Sequence, residues 1–206
     1  MNLPPGPLRS AHRSHGQAPS CRAASFIGVL LALLLPFSSA LVAQQPKASE
    51  YEVKSAYLLN FGRFVEWPGQ PAPAESEPFA VCVLGKDPFG KTLDATLAGE
   101  SIEGRSLVAK RLSKPQDAAG CRVLFISASE DARLRETFAA LNKSDILTVS
   151  DIPRFAQRGG MIEFVMDGAK VRFEVNVTNA SDAGLALSSD LLKVAVAVRK
   201  NAPAGS

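Results

Sequence analysis

The sequence predicts a single α/β domain: a mainly parallel sheet flanked by helices on both faces, with a C-terminal antiparallel hairpin and a closing helix. Three observations lead there. Short, mostly apolar runs of strand character (79–84, FAVCVL; 121–126, CRVLFI; 146–149, ILTV) alternate with helical or loop segments, the pattern of a parallel sheet buried on both faces. Asp167-Gly168 separates two further strand-like runs and is a type I′ hairpin signal. About 166 residues follow an N-terminal leader, enough for one domain with an adequate core, and no internal repeat or linker divides them.

The leader carries its own signature. Residues 26–37 (FIGVLLALLLPF) are apolar, Arg9, Arg13 and Arg22 precede or flank them without an acid, and Ser38-Ser39-Ala40 supplies small residues for a signal-peptidase cut. The run is well short of the roughly 20 residues that cross a bilayer. Residues 1–40 are therefore expected to be a cleaved secretory signal peptide; the alternative is an uncleaved N-terminal anchor. The domain is placed at 48–200, and 201–206 is expected to be a disordered tail.

The elements follow in order. A polar spacer, 44–49, leads to a helix over 51–66, where Tyr51, Ser55, Leu58, Phe61 and Val65 make one stripe at helical spacing. Trp67-Pro68 stops it, because a residue before proline avoids the α region. After a loop rich in Pro, Ala and Glu (69–78) comes the strand 79–84, a helix near 89–98, and a weakly alternating run, 106–112, suited to an edge strand. The strand 121–126 precedes a polar, charged helix reaching about residue 142. The strand 146–149 is followed by a short helix near 153–157 and by Gly159-Gly160. The hairpin strands are 161–165 and 170–177, and a last helix, 189–199, has Ser188 or Ser189 as its cap.

Composition narrows the chemistry. The whole chain has 23 basic and 20 acidic residues; without the three leader arginines the balance is even. No basic stripe then suggests nucleic acid or an anionic membrane as partner. Both histidines, His12 and His15, lie in the leader, so a Ser-His-Asp triad, a Cys-His pair and a His-rich zinc site are all excluded downstream. SxxK and G-x-S-x-G are missing as well, and no carboxylate pair marks a site. The reading is a non-enzyme with no cofactor and no metal, the competing one being an unrecognised carboxylate or serine enzyme.

Cys21 belongs to the leader, which leaves Cys82 and Cys121. In an exported protein these read as one disulfide, the alternative being two free thiols. Closing a loop of about 40 residues contributes on the order of 4 kcal/mol in the chain-entropy model. Such a bond is either a structural staple or a redox sensor.

The candidate ligand or partner surface is Trp67, Asp87, Ser127, Asp151 and Asn176. Asp87 lies in Gly85-Lys86-Asp87-Pro88-Phe89-Gly90, between a strand and a helix, where α/β folds bind ligands. That loop is neither GxGxxG nor a phosphate loop, and a tight turn is the simpler reading of it. Ser127 and Asp151 follow strands 121–126 and 146–149 in the same sense. Asn176, with Asn179 and Asp182, either caps a helix or lines a pocket. Trp67 is either a packed helix end or an exposed interface anchor.

Read together, several segments resemble the YfiR/HmsC-type family of exported bacterial proteins, from about Tyr51 to Val198. They are Tyr51-x-x-Lys54-x-Ala56-Tyr57-Leu58-x-Asn60-Phe61 with Phe64-Val65-Glu66-Trp67-Pro68; Phe79-Ala80-Val81-Cys82-Val83-Leu84-Gly85 with Asp87-Pro88-Phe89-Gly90; and Cys121-x-Val123-Leu124-Phe125-Ile126-Ser127. The run Ile146-Leu147-Thr148-Val149-Ser150-Asp151, Gly159-Gly160-Met161-Ile162, and Val171-x-Phe173-Glu174-Val175-Asn176 with Ala183-Gly184-Leu185 and Ser188-Ser189-x-Leu191-Leu192 complete the series. The resemblance implies a periplasmic regulator that restrains a membrane-anchored diguanylate cyclase through its periplasmic sensory domain, lowering cyclic di-GMP and biofilm or exopolysaccharide output. Cys82 and Cys121 fall where the family type has its long-range bridge; this chain has no further pair, so a two-bridge redox scheme does not carry over. A homodimer is the default oligomer. The alternative function is a small-molecule-binding or accessory module for another membrane system, such as a sensor kinase or an outer-membrane transporter.

Overall fold

The computed structural model describes residues 49–68, 77–141 and 144–201; the expected leader, residues 69–76 of the Pro-rich loop and residues 202–206 lie outside them. Ser49 starts α1 (Glu50–Phe64) through a capping box: its hydroxyl accepts from the Glu52 amide, and its own amide donates to the Glu52 carboxylate. Then follow β1 (Val65–Glu66), β2 (Phe79–Leu84), α2 (Lys91–Leu97), β3 (Ser101–Ile102), β4 (Arg105–Leu112), β5 (Cys121–Ile126), α3 (Leu134–Ala140) and β6 (Leu147–Ser150). The chain continues through β7 (Ile162–Asp167), β8 (Lys170–Asn176), α4 (Val177–Asp182), β9 (Ala186–Leu187), α5 (Ser189–Val194) and β10 (Ala197–Arg199). Short 3-10 turns at Pro115–Ala118, Ala128–Arg133 and Phe155–Gln157 fill three of the connections.

Eight strands form one sheet in the order β10-β8-β7-β6-β5-β2-β4-β3, parallel except at the β7–β8 and β3–β4 hairpins. The predicted fold class holds. β2 shows how both faces are covered: Phe79, Val81 and Val83 enter one core with α1, α2 and α5, while Ala80, Cys82 and Leu84 enter a second with α3 and the 3-10 turns. α1 lies close to the sheet at Gly62, where an added Cβ would come within 2.8 Å of Ile102 and 3.0 Å of Phe79.

Among the differences from the sequence reading, two helix ends are set by distant strand pairing and one hairpin turn is of another type. Val65 continues the helical stripe of α1, but Val65 and Glu66 pair antiparallel with Leu187 and Ala186, so the helix ends at Phe64. The last helix, capped by Ser188, stops at Val194, because Ala197–Arg199 lies alongside Glu174–Asn176 as a parallel strand. The β7–β8 hairpin pairs Asp167 with Lys170, so its loop is Gly168-Ala169. Of these two only Gly168 has positive φ, 57°, which is the type II′ arrangement. The type I′ geometry occurs instead between β3 and β4, where Glu103 (53°) and Gly104 (78°) are both left-handed.

Cys82 and Cys121 form a disulfide, with Cα atoms 5.9 Å apart. Its existence depends on a shift in register. Ala80 pairs with Cys121, yet Val81 pairs with Val123, so Arg122 is an extra residue in β5. Strict alternation would send Cys121 to the α1 face with Val123 and Phe125. The bulge returns it to the α3 face, where Cys82 is, and both sulfurs end inside the second core.

Candidate functional site

At the carboxyl ends of β2, β5 and β6 the chain gathers Asp87, Ser127 and Asp151, three of the five surface candidates. Asp87 closes its own loop: one carboxylate oxygen accepts from the Phe89 amide at 2.7 Å and the other from Arg111 Nε at 2.9 Å. Arg111 also clamps both carboxylate oxygens of Asp94 and the Gly90 carbonyl, at 2.6 to 2.7 Å. These hydrogen bonds hold the Asp94 carboxyl below, and the Arg111 guanidinium above, their ordinary values. Ser127 is buried, its amide bound to the Leu84 carbonyl and its hydroxyl accepting from the Ser129 amide.

Asp151 is the centre of a denser cluster. One of its oxygens accepts from Lys54 Nζ at 2.6 Å and from the Tyr51 hydroxyl at 3.0 Å. Lys54 also pairs with Glu50 one turn back, at 2.5 Å, and its ammonium sits 4.5 Å from the Tyr51 ring centre. The Lys54 side chain is 3 % exposed, so this is a desolvated cation held between two carboxylates and an aromatic face. Tyr51 packs edge-on against Phe89 with ring centres 5.3 Å apart, and Phe89 meets Phe125 of β5 at 4.8 Å. The cluster therefore ties the start of α1 to the carboxyl end of β6. One cation there faces two carboxylates, all three partnered within the chain.

Burial, then the Asp151 charge, pushes the Tyr51 phenol up to about 12. An unfolded tyrosine ionises near 10, so the folded state keeps a proton that the unfolded chain has lost between those values. The stabilisation is complete below pH 10 and disappears as pH rises towards 12. Urea midpoints are expected to fall across that window, and Tyr51→Phe should flatten the fall; an unchanged slope in the variant would refute this assignment.

Trp67 and Asn176 stand elsewhere. α1 runs from Asp151 back towards the amino end of β6, where the Trp67 indole N–H donates to the Asp145 carbonyl at 2.7 Å. The indole packs edge-on against Phe79 at 5.7 Å, and the Arg122 guanidinium lies 5.8 Å from its ring. Asn176 is buried and caps α4: its side-chain oxygen accepts from the Asn179 amide, and its amide donates to the Ala156 carbonyl and to Asn201. Beside it, Glu163 accepts from the amides of Arg154 (2.8 Å) and Ala156 (3.1 Å), which holds Arg154 at a φ of 60°. Lys54 and Glu163 are not among the candidates the sequence offers. For Lys54 the signal was present, a lysine three residues after Tyr51 and four before Leu58, on the apolar stripe of α1.

A family model described as YfiR/HmsC-like matches residues 51–196, which includes the Tyr51–Lys54–Asp151 cluster, the disulfide and the hairpin. The chain belongs to the YfiR/HmsC-like family. Among solved structures, this YfiR/HmsC-like chain is similar to a conserved domain protein from Vibrio cholerae O1 biovar El Tor, at 13% identity and a TM-score of 0.53, over 74% of this chain and 61% of that one. It also matches the ABC domain in complex with L-Trp from Streptococcus pneumonia at 10% identity and a TM-score of 0.49, over 70% of this chain and 60% of that one. The first likeness concerns fold alone. The chain spans about three fifths of the length of both structures. Among the described residues no helix is long and apolar enough to cross a membrane, and no group of three or more His, Cys, Asp or Glu side chains is placed to hold a metal ion.

Proposed function

We propose that the protein is an exported, periplasmic binding protein that negatively regulates a membrane-anchored diguanylate cyclase through that enzyme's periplasmic sensory domain, lowering cyclic di-GMP and biofilm or exopolysaccharide output. The observation that carries this reading is family membership over residues 51–196. Two features support it. The disulfide suits an oxidising compartment. The ionic groups at the sheet's carboxyl end are paired with one another, Lys54 with Asp151 and Arg111 with Asp87, as suits a scaffold for binding. Restraint needs no chemistry, only different affinities for two states of the partner, and a coupling of about 1–3 kcal/mol suffices.

Deleting the gene is expected to raise cellular cyclic di-GMP, and capture of the exported protein from membranes should bring down a cyclase. An unchanged level under several growth conditions would overturn the proposal. The alternative, a small-molecule-binding or accessory module for a sensor kinase or outer-membrane transporter, has one observation in its favour. A groove of about 950 Å³ lies between α3, the start of β7 and α4, with Leu134, Phe138 and Met161 in its wall and Arg135 and Asp182 among its polar groups. A metabolite that raises the melting temperature of the purified protein, with no cyclase captured, would select that reading.

A further inference from the structure

The far edge of the sheet is unlike the rest of the surface. Val194, Val196 and Val198 are 60%, 48% and 46% exposed, while the alternate residues Ala195, Ala197 and Arg199 are less so, and the exposed row ends at Lys200. β10 is only three residues long and pairs with β8 alone among the described residues. The Val196 amide donates inward to the Phe173 carbonyl, so strand alternation directs the amides of Ala197 and Arg199 away from β8. Soluble proteins ordinarily blunt such an edge with charge, proline or a covering element. Here the strand is short and ends at Arg199, with Lys200 after it, yet its outward peptide groups lie beside a row of β-branched apolar side chains.

Charge says what would cover it. Residues 170–176 and 189–201 carry Lys170, Arg172, Lys193, Arg199 and Lys200 against Glu174 and Asp190, in a chain that is balanced beyond its leader. Glu174 is already bound by Arg199 at 2.6 Å and Asp190 by Lys193 at 2.9 Å. Register places Val198 on the same face as Val175, and Ala197 and Arg199 on the opposite face with Glu174 and the exposed Arg172. A strand laid along β10 would thus meet valines on one side of its pleat and, on the other, Arg199, which also holds Glu174, with Arg172 of β8 one strand further in.

We infer that the outer edge of β10 is a docking site for an extended segment of a partner protein, added as a further strand, with apolar and acidic residues in alternation. Its apolar side chains pack on Val196 and Val198, and its acids face Arg172 and Arg199. This is strand addition, in which backbone hydrogen bonds supply affinity and alternate side chains supply selectivity. It goes beyond the cyclase reading and holds for whichever protein supplies the segment.

The test uses the purified protein and a fluorescein-labelled peptide of alternating valine and glutamate, read by anisotropy. Binding is expected, and it should weaken about tenfold when Val196→Thr and Val198→Thr are combined, since threonine keeps the strand but removes apolar contact. Arg172→Glu, an exposed position, should weaken it as well. A peptide of the same composition in blocks, or one with lysine for glutamate, should bind far less. Circular dichroism and thermal midpoints establish that the variants fold. Absence of binding, equal binding of the block peptide, or affinity unchanged in the threonine variant would overturn the inference. So would sedimentation showing a dimer that the threonine variant abolishes, which would assign the edge to a second copy. Flotation with phosphatidylglycerol vesicles lost in that variant would likewise overturn it, by assigning the edge to a membrane.

Discussion

Replacing Cys82 and Cys121 together by alanine is expected to lower the free energy of unfolding by about 4 kcal/mol, because the bridge closes a loop of about 40 residues. The cysteines are 39 apart in sequence. The loss comes on the unfolded side, where the open chain regains the freedom that the cross-link denies it. A typical domain holds only about 5–15 kcal/mol of net stability, so the variant should unfold at much lower urea than the oxidised protein. Single serine variants should do worse than single alanine variants, since each places a hydroxyl in the apolar second core. The sulfurs are enclosed by the second core, with Cys82 fully buried and Cys121 4 % exposed. Reduction of the native protein by dithiothreitol is therefore expected to be limited by opening of the segment around Cys121. A double alanine variant within about 1 kcal/mol of the parent, or reduction as fast as in a denatured control, would contradict the staple.

Asp151→Ala is expected to cost about 3 kcal/mol, because it strips a buried ammonium of its closest interior partner. Glu50 remains, but its side chain is 44 % exposed and it approaches from the solvent side. Lys54→Met should cost less than Asp151→Ala, since it removes the charge along with the need to solvate it. Combining the two separates the pair's coupling from the individual losses, with at least 0.5 kcal/mol of interaction expected between groups in direct contact. Chemical denaturation of the four proteins measures this. If Asp151→Ala were harmless, the cluster would be an incidental surface pair rather than the tie between α1 and β6.

The legible parts of this fold were those decided locally. FAVCVL and CRVLFI are buried on both sides, so their apolar runs begin and end where β2 and β5 do. Ser188 sits at the start of α5 as expected. What escaped was decided by distant partners. Val65 satisfies the stripe of α1 until Leu187 claims it, and the run Ala195–Arg199 reads as helix until β8 offers a ladder. The candidate site divides in the same way. Asp87, Ser127 and Asp151 follow the ends of parallel strands, which are predictable, while Trp67 follows α1 and Asn176 ends the antiparallel β8, beside the start of β7. Lys54 was passed over because its acceptor is 97 residues away, and Glu163 because a buried carboxylate holding two amides leaves no pattern in a sequence.

The extra residue in β5 also makes the parity of that strand a matter of covalent structure. Deleting Arg122 would leave every apolar side chain of Val123–Ile126 in place and set the preceding thiol directly before Val123, where ordinary alternation keeps it on the same side of the sheet as its mate without any bulge. Any shortening ahead of Val123 should be counted in odd and even steps before it is blamed on lost contacts.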